Sequence, residues 1–109
     1  MNQITENLWI GDIQDVRESD TSRFDRVITT CQDNVEDNVG CKYNYFNMSD
    51  GVADSYGGSS SYELFHEAAL TLLGALTYGE DILIHCHAGH SRSVSVSIAA
   101  LGVLEDYEF

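Results

Sequence analysis

A cysteine and an arginine six positions apart are the residues whose types and spacing best suit chemistry in this chain. Cys86 follows the apolar run Ile82-Leu83-Ile84-His85, and Arg92 stands where a helix-forming run begins. This pattern predicts a buried strand, a short loop and a helix. Backbone N–H groups and the positive end of a helix dipole would then converge on the loop, which favours a bound anion.

Cys86 is the predicted nucleophile. A free thiol has a pKa of about 8.5, whereas thiols at helix N-termini beside cationic groups fall to roughly 3.5–7.5. The groups that favour a thiolate would also bind phosphate oxygens, and the planar guanidinium of Arg92 can hold two of them. We hypothesise that Ser93, which follows Arg92, donates a hydrogen bond to the sulfur as it leaves a phosphocysteine intermediate.

The segment from His85 to Ser93, HCHAGHSRS, resembles the signature of the cysteine-dependent protein tyrosine phosphatase superfamily. Its Ala-Gly pair and its Ser-Arg-Ser ending resemble the dual-specificity branch most closely. The resemblance implies that His85 orders the loop and that phosphotyrosine, phosphoserine or phosphothreonine esters in proteins are hydrolysed without a metal or other cofactor. It also implies that phosphate is bound by His87, Ala88, Gly89, His90, Ser91 and Arg92.

A general acid must protonate the leaving oxygen, from a loop close to the anion site but outside it. The resemblance implies an aspartate just after the strand that precedes the last helix-strand unit. Asp50 follows the predicted strand Tyr43–Met48 and matches that place, and Asp54 is the alternative. A surface turn aspartate at position 50 stays open as a further interpretation.

Three other functions stay open for the same residues. A phosphopeptide-binding module would keep the anion-binding loop but would hydrolyse the bound phosphate ester poorly. A rhodanese-like sulfurtransferase also sets a cysteine on a strand-to-helix loop, although the residues flanking Cys86 do not resemble that family. A metal site is suggested by the cluster His85, Cys86, His87 and His90, but no second ligand pair with zinc spacing exists in the sequence.

The pattern along the chain predicts one α/β domain over residues 1–109. Its central sheet is mostly parallel or mixed, has four or five strands, is flanked by helices and ends in a short C-terminus. Trp9 is predicted in the core and His66 on the surface. The polar run Gln32–Asn38 is predicted to be a solvated loop without function. The predicted elements are strand Ile4–Gly11, a helix turn over Ile13–Ser19, strand Phe24–Cys31, strand Tyr43–Met48, a helix capped by Ser60 with Glu63 and ended by Gly79, strand Ile82–His85, and a helix running from Ser93 to Leu104.

The charge is strongly acidic, with 18 acidic against 5 basic residues and a net charge of −13. Nucleic acid and anionic membranes are therefore excluded as expected partners, because either needs a basic surface. The composition resembles that of proteins from salt-accumulating halophiles. No signal peptide, lipidation site or membrane-spanning run is visible, and three cysteines make no disulfide framework, so a reducing cytoplasmic location is expected.

Two further expectations concern oxidation and assembly. In some relatives a cysteine placed like Cys31 forms a reversible disulfide with the nucleophile, although a plain buried thiol is the alternative. Few residues follow Arg92, so the chain offers no further helices to pack against the helix that follows the loop. We expect self-association through this C-terminal helix, with a minimal packing or a shortened chain as the alternatives.

Overall fold

The computed structural model describes the backbone of residues 1–48, 58–87 and 91–108, with the side chains of 1–48, 62–87 and 92–105. A five-stranded sheet in the order β1-β2-β5-β3-β4 forms its centre, and only the edge strand β1 is antiparallel to its neighbour. The predicted α/β class with a mixed sheet is confirmed. The elements are β1 Asn2–Thr5, β2 Leu8–Gly11, α1 Ile13–Glu18, β3 Arg26–Thr29, β4 Lys42–Tyr45, α2 Gly58–Thr77, β5 Ile82–His85 and α3 Ser91–Glu108, with short 3₁₀ turns at Thr21–Arg23 and Glu36–Asn38.

The central strand β5 is the predicted strand before the cysteine, and all four of its residues are buried. It pairs in parallel with β2 on one side and β3 on the other, so Gly11, Thr29 and His85 lie at matching positions. A continuous apolar run is what a parallel strand covered on both faces requires. The carboxyl ends of three strands therefore meet at one edge, where open α/β sheets place their sites.

Helices cover both faces of the sheet. The predicted apolar stripe of α2 packs with α3 against one face, around buried residues that include Leu72 and Val96. The short helix α1 covers the other face, where Trp9 packs edge-on against Phe24 with ring centroids 5.3 Å apart. Trp9 thus belongs to the core, as predicted. His66 is exposed on α2, also as predicted.

Several predicted boundaries are wrong. Strands β3 and β4 end at Thr29 and Tyr45, short of the predicted Cys31 and Met48. The single strand predicted over Ile4–Gly11 is a hairpin of β1 and β2, because the polar residues between them turn the chain and the Asn7 N–H donates to Thr5 Oγ1 at 3.2 Å. Helix α2 begins at Gly58, so Ser60 lies inside the first turn and is not the N-cap. The predicted end of α2 is confirmed: Gly79 follows the helix with φ of +75°, the left-handed conformation that glycine adopts without strain.

The helix after Arg92 is confirmed despite its alternating valines and serines, and it runs on to Glu108. The Ser97 hydroxyl donates to the Ser93 carbonyl at 2.7 Å, so one serine that suggested a strand bonds within the helix instead. In the described part of the chain, none of the helices has the length and apolarity that crossing a bilayer requires.

Candidate active site at the end of the central strand

Cys86 comes directly after β5 and is 1% exposed, so the predicted nucleophile sits at the carboxyl edge of the sheet. Helix α3 begins at Ser91, which places its N-terminus on the loop that follows Cys86, as predicted. The loop is tied to α1, because the Ile13 N–H donates to the His87 carbonyl at 3.4 Å. Ala88, Gly89 and His90 of the predicted phosphate site lie outside the described residues, as does the side chain of Ser91.

Arg92 reaches across from the first turn of α3 to the end of the segment that follows β4. Its Nη1 donates to the Met48 carbonyl at 2.7 Å. Its Nε is buried and finds no hydrogen-bond partner among the described residues. A buried guanidinium donor costs free energy when it is unsatisfied, so this nitrogen needs an acceptor beyond the described residues, a role that an anion oxygen can fill.

An open cavity of about 310 Å³ lies beside the guanidinium. Among the described residues it is lined by Cys31, Gln32, Asp33, His87 and Arg92. The structure thus brings together two of the predicted phosphate-binding residues and the predicted redox cysteine. Cys86 is buried and is not among the described residues that line the cavity.

His85 is wholly buried, and its ring bonds on both sides. Its Nε2 lies 2.6 Å from Thr29 Oγ1, which is in turn 2.7 Å from the Tyr43 hydroxyl. With the proton on Nδ1, the ring accepts from Thr29 and donates to the Cys86 carbonyl at 3.4 Å. Burial lowers the pKa of His85 to about 4, so the imidazole is neutral at pH 7. Its influence on Cys86 therefore runs through hydrogen bonds and not through a positive charge.

Ser93 is also wholly buried, inside the first turn of α3. Its Oγ lies 3.1 Å from Thr30 Oγ1, and the Thr30 hydroxyl is 3.0 Å from the His85 carbonyl. Sequence reasoning missed both Thr29 and Thr30. Their only signal was two consecutive hydroxyl residues at the end of a predicted strand, and their partners follow from the parallel pairing of β3 with β5.

Asp33 is a third residue that sequence reasoning missed, because it lies in the run predicted to have no function. Its Oδ2 is 2.7 Å from His87 Nδ1, at the mouth of the cavity. The two side chains are 43% and 60% exposed, so their pairing contributes at most about 1 kcal/mol to stability. The contact instead fixes the direction of the His87 ring. The same run also anchors itself in the core, since Val35 is buried.

Cys31 is 1% exposed and its thiol is free, as are those of Cys41 and Cys86. Burial raises the pKa of the Cys31 thiol, while its hydrogen bond to the Asp33 carbonyl and the charge of Arg92 oppose that rise. Cys31 therefore stays a thiol at neutral pH. Among the described residues, no group of three or more His, Cys, Asp or Glu side chains is arranged to hold a metal ion.

The two candidates for the general acid, Asp50 and Asp54, lie outside the described residues. The chain is described up to Met48, which is buried and whose carbonyl accepts the bond from Arg92. Asp50 thus follows by two residues a carbonyl that the guanidinium contacts.

No protein-family model matches the chain. A protein designated a tyrosine phosphatase, from Invertebrate iridescent virus 6, is 29% identical over 97 residues, which cover 89% of this chain and 63% of the viral protein. Human dual specificity protein phosphatase 22 is 30% identical over 112 residues, covering 98% of this chain and 57% of the human protein. The chain therefore spans less than two thirds of either relative. Neither source supports the comparison with halophile proteins.

A solved structure shares the fold. OH1 from the Orf virus, described as a tyrosine phosphatase with triple substrate specificity, matches with a TM-score of 0.72 at 14% identity. The match covers 99% of this chain and 62% of OH1. At that identity the likeness concerns the fold alone.

Proposed function

We propose that this chain belongs to the cysteine-dependent protein tyrosine phosphatase superfamily, in its dual-specificity branch, and that it hydrolyses phosphotyrosine, phosphoserine or phosphothreonine esters in proteins; its two phosphatase relatives support this. The observation that carries the proposal is the buried Nε of Arg92, which has no partner among the described residues. Arg92 lines an open cavity and follows, by six positions, a cysteine at the end of the central strand. An anion with several acceptor oxygens satisfies that donor.

The proposed reaction has two steps. The Cys86 thiolate attacks phosphorus, the P–O ester bond breaks, and Asp50 protonates the leaving oxygen, which releases the dephosphorylated side chain. Asp50, now a carboxylate, takes a proton from water as that water attacks the phosphocysteine. The P–S bond breaks, its electron pair returns to sulfur, and Ser93 donates a hydrogen bond to the departing thiolate. Throughout, Arg92 and the loop amides form the P-loop that holds the phosphoryl oxygens, and no metal takes part.

The proposal extends to substrate, setting and domain organisation. Residues 85–93 contain no lysine, which favours phosphoprotein substrates over highly charged phosphoinositides. A reducing cytoplasmic compartment would preserve Cys86 as a thiol. We treat residues 1–109 as one catalytic domain, in which phosphate is bound by residues 87–92.

Turnover of a small aryl phosphate tests the function. With EDTA and 1 M NaCl present, the chain should release phosphate, Cys86→Ser should abolish release, and Asp50→Ala should slow it by roughly 10²–10⁴-fold, the usual contribution of a general acid. Asp54→Ala is the matched control and should retain activity.

The alternatives give different results. Tight binding of a phosphopeptide without phosphate release would favour a binding module. Transfer of sulfur from thiosulfate to cyanide would favour a sulfurtransferase. Either result, with no aryl phosphate turnover, would contradict the proposed function.

Cys31 is proposed to protect the nucleophile during oxidation. Peroxide would convert Cys86 to a sulfenic acid. The Cys31 thiol would then attack its sulfur, giving up a proton as the hydroxyl leaves, so that water is lost and a disulfide forms that another thiol can reduce. Both cysteines are buried, and Cys31 lies on the cavity of Arg92, which supports the pairing. After peroxide treatment, non-reducing peptide mapping should show a Cys31–Cys86 link and none to Cys41. Recovery of Cys86 only as higher oxides would contradict it.

A further inference from the structure

Two consecutive, wholly buried threonines at the end of β3 hold the two ends of the catalytic loop. Thr29 binds the ring of His85, the residue before the nucleophile. Thr30 lies between the His85 carbonyl and the hydroxyl of Ser93, the residue after Arg92. The second contact joins the strand directly to the group expected to stabilise the departing sulfur.

The number of hydroxyl hydrogens limits how Thr30 and Ser93 can bond. Each hydroxyl has one hydrogen, and the His85 carbonyl can only accept. When Thr30 donates to His85, Ser93 must donate to Thr30, and no Ser93 hydrogen remains for sulfur. When Thr30 donates to Ser93, the Ser93 hydrogen is released.

The second arrangement leaves no carbonyl unsatisfied. The His85 carbonyl also accepts from the Thr30 backbone N–H at 2.9 Å, so it keeps a partner when the Thr30 hydroxyl turns away. Rotating one hydroxyl therefore leaves the His85 carbonyl and both hydroxyl oxygens bonded, and it leaves only the Ser93 hydrogen in need of an acceptor. In the second arrangement Thr30 also polarises the Ser93 hydroxyl, which strengthens the bond that Ser93 can donate.

We propose that Thr30 is a positioning residue whose hydroxyl directs the hydrogen of Ser93 onto the Cys86 sulfur when the P–S bond breaks. The inference rests on the proposed function and deepens it, because it assigns Thr30 to the second chemical step. Without the Thr30 hydroxyl, the Ser93 oxygen loses its hydrogen-bond partner among the described residues. The Ser93 hydroxyl is then no longer oriented by Thr30. Formation of the phosphocysteine does not need this hydrogen, so only its hydrolysis should slow.

Rapid-mixing kinetics with an aryl phosphate separate the two steps. In Thr30→Val we expect the burst of aryl alcohol to keep its rate and the following steady rate to fall about tenfold, less than the 10²–10³-fold cost of deleting such a donor outright. Since kcat/KM reports only the first step, kcat and KM should fall together and kcat/KM should stay within about twofold. Thr30→Ser should restore the wild-type rate.

A double variant and a distant control complete the test. Thr30→Val added to Ser93→Ala should have no further effect, because Thr30 acts through Ser93. Thr21→Val removes another buried threonine hydroxyl, one that bonds Asn38 and Gly40 away from the site, and should leave kcat unchanged. Should the valine variant fail to fold by circular dichroism, Thr30→Ala carries the same expectation.

The outcomes distinguish the proposed role of Thr30 from the proposed phosphatase activity on which it rests. A fall in kcat/KM equal to that in kcat, or additive effects of Thr30→Val and Ser93→Ala, would overturn the role of Thr30 while leaving a phosphatase. Absence of any turnover by the wild-type chain would overturn both.

Discussion

At the scale of single residues, the site depends on polar side chains buried next to the predicted nucleophile. His85 and Ser93 are both wholly buried, and each is bonded by a threonine hydroxyl from β3. A buried polar group left without a partner costs about 1–3 kcal/mol. The hydrogen bonds from Thr29 and Thr30 therefore both stabilise the fold and orient the residues at the two ends of the loop.

The buried, neutral ring of His85 predicts an acid-sensitive fold. Its pKa is about 4 in the folded chain, against an ordinary value of 6.5, so between these pH values the unfolded chain binds a proton that the folded chain does not. The free energy of unfolding therefore decreases as pH falls. The contribution of His85 to this decrease is about 2 kcal/mol between pH 7.5 and pH 5. Urea denaturation at both pH values should show this loss.

His85→Gln is the matched variant for that measurement, because glutamine does not titrate in this range. Carboxylates with lowered pKa values, such as Asp15 and Glu80, lose stabilisation in acid in both proteins and cancel in the comparison. The wild type should lose about 2 kcal/mol more than the variant on acidification. Parallel losses in the two proteins would show that His85 is already protonated, or not buried, in the folded chain.

At the scale of elements, an apolar groove lies between α2 and α3. It encloses about 200 Å³ and is lined by residues that include the exposed side chains of Tyr62, Leu70 and Val103. Ile98 on α3 is 66% exposed as well. Adjacent exposed apolar side chains of this kind are typical of an interaction surface, which supports the proposed self-association through the C-terminal helix.

Light scattering tests the association. In 1 M NaCl, which screens the repulsion between two acidic chains, we expect a dimer at micromolar concentration. Placing a charge in the groove by Val103→Glu on α3 should give a monomer, because burying an unpaired carboxylate is costly. Tyr78→Glu changes an exposed aromatic residue outside the groove and should remain dimeric. A wild-type monomer in high salt would refute self-association.

At the scale of the whole molecule, the net charge of −13 opposes both folding and the approach of a dianionic phosphoryl group. The described basic side chains are largely engaged locally: Arg26 and Lys42 both bind Glu80, at 2.7 and 3.1 Å. Long-range repulsion therefore has few cations to offset it. The proposed contact of Arg92 with phosphate would be short-ranged and screened far less.

Salt should therefore stabilise this protein. Raising NaCl from 0.1 to 1 M shortens the Debye length from about 10 to about 3 Å, so the melting temperature should rise by several degrees. A variant carrying Glu18→Gln, Glu36→Gln and Asp37→Asn removes three exposed acidic charges and should show a smaller rise. Equal melting temperatures in dilute buffer and in 1 M NaCl would contradict the expectation.

Features with a local cause could be predicted from the sequence. The apolar run of β5, the helical stripe of α2 and the glycine that ends it each depend on neighbouring residues, and their element types were predicted correctly. The resemblance to the phosphatase family was also visible in one continuous segment, because Cys86 and Arg92 lie six positions apart at the two ends of one loop. Boundaries were less certain: the turn at Asn7 and the start of α2 at Gly58 were missed.

The tertiary structure alone decided which side chains support that loop. Thr29 meets His85 across 56 positions of the chain, Thr30 meets Ser93 across 63, and Asp33 meets His87 across 54. No local sequence pattern predicts such pairs. They form only when β3 and β5 pair in register and bring their carboxyl ends to one edge of the sheet. The sequence by itself indicated the candidate reacting groups and predicted the strand and helix that carry Cys86 and Arg92. Parallel strand pairing determined how those groups are held, since hydrogen bonds between distant residues exist only after the sheet has formed.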